Sequence, residues 1–239
     1  MVDSRRNTRV AHTVFKEQYP DKICSFQIII ETHSDEYETR GLKFIKNSLS
    51  ELMENESLAD IKVVFKDDQI AAHSAIVAAS SPVFAAMFEA GKFKEGQTKT
   101  VNIEDIDSRV FRKLLQFLYT GSSGSSSKDP LDALQALFLA ADKYQVDALR
   151  EICEECLILK LAIPNILHLL AWAHRYGAEK LKEASVTYIV KQRKEVWKLK
   201  ELKDFNKSYP DLFFLVSKRI VNYRLLQKTI CYETRDPSL

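Results

Sequence analysis

Asp60-Ile-Lys-Val-Val-Phe65, Gln69-Ile-Ala-Ala-His73, Ser80-Ser-Pro-Val-Phe-Ala-Ala-Met-Phe88 and Phe117-Leu-Tyr-Thr-Gly121 together decide how this chain folds. The first run alternates and is rich in β-branched residues, so it reads as a strand. Asp67-Asp68 make a turn, and Gln69 to Ala72 return as the second half of a hairpin. Ser81-Pro82 is a helix start, with serine as cap and proline in the first turn. Met87-Phe88 end that helix. Residues 91–100 read as a polar loop, and Val101-Asn-Ile103 as a short strand. Phe111, Leu114, Leu115 and Leu118 then fall on one face of a helix that ends at Gly121.

Upstream, Leu42, Ile45, Leu49, Leu52 and Met53 recur at helical spacing and form one apolar stripe. Phe26 to Glu31 reads as a strand inside an arm, residues 1–40, that is polar elsewhere. Downstream, residues 121–130 are the low-complexity stretch, a Ser/Gly-rich surface loop. Asp129-Pro130 reads as the cap of the next helix. Helical stripes then follow to about Val221, beginning at Leu131, Leu149, Ile166 and Leu181.

The 239 residues are enough for one large domain or two small ones. A net charge of +2, from 35 basic and 33 acidic residues, gives no overall electrostatic case for nucleic acid or an acidic membrane. No apolar run reaches the ~18 residues that a membrane helix needs. Four cysteines are too few for a disulfide framework in a chain this long, which makes a reducing nuclear or cytoplasmic compartment the expectation.

The ordered marks between Asp60 and Gly121 resemble the BTB/POZ domain. The later runs Ala140-Ala-Asp-Lys-Tyr-Gln-Val-Asp-Ala-Leu149 and Ala171-Trp-Ala-His-Arg-Tyr-Gly-Ala-Glu-Lys-Leu181 are similar to the helical extension of speckle-type POZ proteins. The segment from Trp197 to Ile220 resembles the start of that family's BACK-like tail. The resemblance implies an α+β fold, a small sheet with surrounding helices followed by an all-helical extension. Its divisions would be an arm at 1–40, the first part of the BTB core at 41–121, the loop at 122–130 and the BTB C-terminal helices at 131–160. A 3-box or BACK-like extension would occupy 161–223 and a tail 224–239. That family also carries an N-terminal MATH domain. About 57 residues ahead of the BTB marks are too few for a β-sandwich of about 100, so a full MATH domain is not expected here.

BTB domains are self-associating protein-interaction modules without chemistry of their own. The resemblance therefore implies a non-catalytic adaptor that dimerises and links a protein target, not identified by the sequence, to a cullin-3 RING ubiquitin ligase. The alternative is a module that pairs with itself or with other BTB proteins and binds no cullin. BTB adaptors of cullin-3 carry an apolar residue, any residue, then glutamate in the loop after the Met87 helix. Phe93-Lys94-Glu95 fits, and Met87, Phe88 and Tyr119 complete the expected cullin contact. Phe93 folded back on its own domain is the competing reading. The Leu42, Ile45, Leu49, Leu52 and Met53 stripe is the expected dimer face, or else it folds back on its own chain. Residues 164–181 either widen the cullin contact or pack in the core.

Asp60 and His73 lack a nucleophile or third partner, so they make no catalytic triad. Ser74 occupies a position where BTB domains often carry a basic residue, which argues against a corepressor pocket. Cys153 and Cys156 have the spacing of half a zinc site with no second pair and read as helix residues. No cofactor, metal, nucleic-acid or membrane partner is expected.

Overall fold

The computed structural model describes residues 34–89, 93–126 and 128–233. The strand expected at 26–31 lies outside them, and of the arm expected at 1–40 only residues 34–40 are described, as the first turns of a helix. The first helix, α1, spans Ser34–Glu54 and starts well ahead of Leu42. The apolar spacing from Leu42 to Met53 carries no signal for where this helix starts.

Strand β1 (Ile61–Val64) buries Ile61 and Val63 and exposes Lys62, the period-two pattern of a half-buried strand. β2 (Gln69–Ala72) returns antiparallel, with Ile61 opposite Ala72. β3 (Thr100–Asn102) pairs with β1 in parallel, Val63 opposite Val101, giving the order β2-β1-β3. Parallel pairing requires a crossover. It is made by α2 (Ser74–Ser80), α3 (Pro82–Phe88) and α4 (Lys94–Thr98). The interval expected to be a polar loop thus contains a helix and the first residue of a strand.

Helices α5 (Ser108–Thr120), α6 (Leu131–Lys143) and α7 (Asp147–Ile158) pack one on the next and share a hydrophobic core with the sheet. The loop before α6 is tied back rather than loose. Lys113 Nζ lies 2.8 Å from Asp129, whose carboxylate also accepts the Ser126 N–H. Asp129 is therefore not the cap of α6, because its oxygens are committed to the loop and to α5. The core centres on Phe84, Phe111, Phe138 and Tyr144, all fully buried.

The extension comprises α8 (Ile166–Arg175), α9 (Glu179–Lys191), the short α10 (Arg193–Val196), α11 (Leu202–Ser208) and α12 (Pro210–Glu233). It has its own core of Val186, Ile189, Val190, Val196, Phe205, Leu212, Val216 and Ile220. Helix α8 belongs to both cores. Leu169 and Ala173 face the sheet side, while Ile166, Leu167 and Leu170 face the extension. An α+β domain followed by a helical extension is the fold expected from the sequence.

One buried carboxylate joins the two. Glu154 on α7 is 3% exposed and accepts the Leu181 N–H at 2.8 Å, capping α9 from a neighbouring helix. Arg150 reinforces the join, its guanidinium lying over the Phe138 ring and donating to the Gly177 carbonyl at 2.8 Å. Replacing Glu154 by Ala leaves a buried donor unpaired. It is expected to cost about 1–3 kcal/mol in denaturant unfolding, with Glu154→Gln, which keeps an acceptor, losing less. Equal losses would show that the hydrogen bond is not the cause.

Candidate protein-interaction surfaces

Ser81 sets the position of α3. Its hydroxyl accepts the Phe84 N–H at 3.3 Å and donates to the Tyr144 carbonyl at 2.6 Å. The Phe84 and Tyr144 rings stack at 4.4 Å, almost parallel. These contacts hold α3 against the α6–α7 turn, where Gln145 takes a left-handed conformation.

A groove of about 400 Å³ forms there, lined by Pro82, Val83, Ala86 and Met87 of α3, by Gln145, and by Phe93 and Glu95 at the start of α4. Phe93 is extended backbone at the cap position of α4 and 48% exposed, so its ring is not folded into the core. Gly96 lets α4 sit tightly on the end of α3. A Cβ there would lie 3.2 Å from the Met87 carbonyl and 3.3 Å from that of Glu89.

Of the residues expected at the cullin contact, Met87, Phe93 and Glu95 come together in this groove. Phe88 does not, because its ring stacks on Phe84 and lies beneath the Lys99 ammonium. Tyr119 does not either, and this is a correction: it is 3% exposed. Its hydroxyl accepts the His73 N–H at 2.9 Å and lies 2.6 Å from His73 Nδ1. Burial raises the Tyr119 phenol above its ordinary range, keeping the proton that can be directed at Nδ1. Sequence reading missed Pro82, Val83, Ala86, Gly96 and Gln145. The Ser-Pro helix start was a signal for the first two, whereas Gln145 is brought in only by tertiary packing.

The second surface is α1. Leu42 and Ile45 are 62% and 54% exposed, and Phe44 and Tyr37 are exposed as well. Leu49, Leu52 and Met53 are half-buried against the core. The five-residue stripe is therefore split, its C-terminal part covered by its own chain and its N-terminal part open to solvent. Of residues 164–181, Ile166, Leu167, Leu170 and Leu181 are core, while Pro164 is exposed.

Asp60 accepts the Ser74 N–H at 2.7 Å and the Ser74 hydroxyl, capping α2 from the start of β1. Burial pushes its pKa up, but the Ser74 hydrogen bonds outweigh this and hold it below the usual carboxylate range. Ser74, where a basic residue was the family expectation, is committed to this cap. Cys153 is buried, its thiol pushed up to about 12 mainly by burial, and Cys156 is half-buried. Among the described residues no cluster of histidine, cysteine and carboxylate side chains could hold a metal ion. No described helix is long and apolar enough to cross a membrane.

Comparison with known proteins gives a family match. The model for the BTB/POZ domain matches residues 49–161. TD and POZ domain-containing protein 1 of Mus musculus is 34% identical over 170 residues, covering 70% of this chain and 45% of that protein. TD and POZ domain-containing protein 4 of Mus musculus is 34% identical over 173 residues, with the same coverages. The chain thus spans just under half the length of these relatives. Among solved structures, the BTB domain of zebrafish PATZ1 aligns at 22% identity with a TM-score of 0.38, covering 56% of this chain and 96% of that one.

Two outcomes check the polar assignments. Tyr119→Phe is expected to lower stability by about 1–3 kcal/mol, because the His73 N–H loses its acceptor in a buried setting. An unchanged denaturation midpoint would refute this. Asp60→Ala is expected to cost about 1 kcal/mol as a lost cap. Because the folded carboxyl titrates below its ordinary 3.8, its contribution is present above that pH and fades as pH falls through the lower folded value. The wild type and the Ala variant should therefore converge in stability only in strong acid.

Proposed function

We propose that this chain, a BTB/POZ-domain protein by its residues 49–161, is a non-catalytic adaptor that pairs with a second copy through α1 and offers its α3–α4 groove to cullin-3. The single observation that carries the scaffold half is the exposed Phe93 ring set beside Glu95 and Met87 at the groove. An apolar anchor entering a partner's pocket, with a nearby carboxylate to fix register, is the usual economy of a small interface. Two copies would carry two scaffold sites and raise avidity for a target that presents repeated contacts. The chain's contribution to ubiquitin transfer would be effective concentration rather than bond making.

The second reading is a pairing module that joins itself or other BTB proteins and holds no scaffold. It is favoured by the exposed Tyr37, Leu42, Phe44 and Ile45 on α1, a face that would allow pairing without using the groove.

The joint substitution Phe93→Ala and Glu95→Ala should weaken binding to the cullin-3 N-terminal domain by at least roughly tenfold in calorimetry, with pairing intact. Pairing with no cullin binding by the wild type would leave the second reading standing and remove the first. For pairing itself, Leu42→Asp with Ile45→Asp is expected to give monomer mass in light scattering, because two carboxylates would have to be buried unpaired. Dimers that survive would move the pairing surface away from α1. Leu49→Asp is less diagnostic, since Leu49 also packs on its own core.

A further inference from the structure

The near-neutral total conceals a concentration of positive charge. Residues 191–207 hold seven basic side chains (Lys191, Arg193, Lys194, Lys198, Lys200, Lys203 and Lys207) against three acidic ones, Glu195, Glu201 and Asp204. That is a net +4 within a chain of net +2, so the remainder is slightly acidic. The fold sorts these residues by face. Val196 and Phe205 are buried, with Leu199, Leu202 and Tyr209 half-buried, all in the extension's core. The intervening positions Lys194, Lys200, Lys203 and Lys207 are exposed, as is Lys191.

Two of the seven cations are already engaged. Lys198 pairs with Glu195 at 2.9 Å, and Arg193 lies over the Tyr223 ring while donating to the Val190 carbonyl. The other five lysines make no ion pair with a described residue. Lys203 and Lys207 stand one helical turn apart in α11, a like-charge spacing, and Asp204 between them forms no ion pair with either. Trp197 lies within the run, 44% exposed with its ring 6.0 Å from that of Phe213. An exposed indole is a common anchor in protein contacts.

We propose that this α10–α11 face is a docking surface for an acidic polypeptide segment, with the lysines holding carboxylates and Trp197 as its apolar anchor. The observations favour a short acidic segment over a long polyanion. Outside residues 191–207 the chain carries a net −2 (+2 less +4) and adds no net attraction for an extended nucleic acid or an anionic membrane. A peptide that ends within the patch meets only the lysines. Lysines on a solvated helical face act as mobile point charges, suited to a run of Asp and Glu side chains rather than to one fixed planar group. The proposal is independent of cullin binding. If both hold, the face would be where targets are recruited.

The test is fluorescence anisotropy of the whole 239-residue chain with a short fluorescein-labelled polyglutamate peptide containing one leucine. Saturable binding is expected, weakening when ionic strength rises from about 0.01 M to about 0.1 M and the screening length falls from about 30 Å to about 10 Å. The triple change Lys194→Glu, Lys203→Glu and Lys207→Glu should reduce affinity by roughly tenfold or more. The control Lys62→Glu with Lys66→Glu, on exposed lysines of the sheet domain, should not. Trp197→Ala should weaken binding in a manner that salt does not mimic. Absence of binding, or equal losses from the triple change and the control, overturns the proposal. So does tighter binding of a duplex oligonucleotide or of phosphatidylserine vesicles at matched salt. Cullin binding measured on the triple variant separates the two ideas, since it should be unchanged whichever way the peptide experiment falls.

Discussion

The Ser81 hydroxyl, shared between the Phe84 N–H and the Tyr144 carbonyl, is the contact on which the groove depends. Ser81 is buried, so its polar atom requires partners, and the two it has come from different elements. One bond starts α3 and the other fixes that start against the α6–α7 turn. The Phe84–Tyr144 stack then sets the rotation of α3 about its axis. Once α3 is placed, Val83 and Met87 face the groove, and Gln145, next to Tyr144, forms the opposite wall. The α4 segment sits close to the end of α3, where a Cβ at Gly96 would crowd the Met87 and Glu89 carbonyls at 3.2 and 3.3 Å. A groove made of loop and helix ends is thereby built on a packed base.

Helix α8 has a comparable role between the two cores. An ordinary surface helix buries one stripe. This one buries Leu169 and Ala173 on the sheet side and Ile166, Leu167 and Leu170 on the extension side. The extension is therefore packed on the domain through a shared helix rather than joined by an unpacked linker. Glu154 and Arg150 secure the following turn, the first by capping α9 and the second through the Gly177 carbonyl. Whatever engages the groove meets a body whose helical extension is already in place, so little ordering is needed on binding.

The fold was readable because several local signals agreed. The alternation of Ile61 and Val63, the Ser81-Pro82 start and the spacing of Phe111, Leu114, Leu115 and Leu118 each gave the observed element. The failures have physical causes. Residues 94–98 contain no apolar period and bury no side chain, so no stripe announces their single helical turn. Asp129 precedes a proline at a helix start, yet Lys113, distant in sequence, competes for its carboxylate and wins. Tyr119 occupies a motif position that suggested a surface role, but the partner that buries its hydroxyl, His73, is 46 residues away. The density of lysines at 191–207 was present in the sequence and was averaged out by the chain's total charge.

The split burial of α1 bears on how pairing would be powered. A single helix with an exposed apolar half gains little from propensity in water and is maintained by what it packs against. Here Leu49, Leu52 and Met53 anchor the C-terminal half on the core, while Tyr37, Leu42, Phe44 and Ile45 extend the same helix without cover. The anchored turns act as a template from which the outer turns can propagate, since adding a residue to an existing helix is far easier than nucleating one. A second copy that covered Leu42 and Ile45 would then collect apolar burial on a helix already ordered at one end. Its binding energy would go into the contact itself rather than into forming the helix.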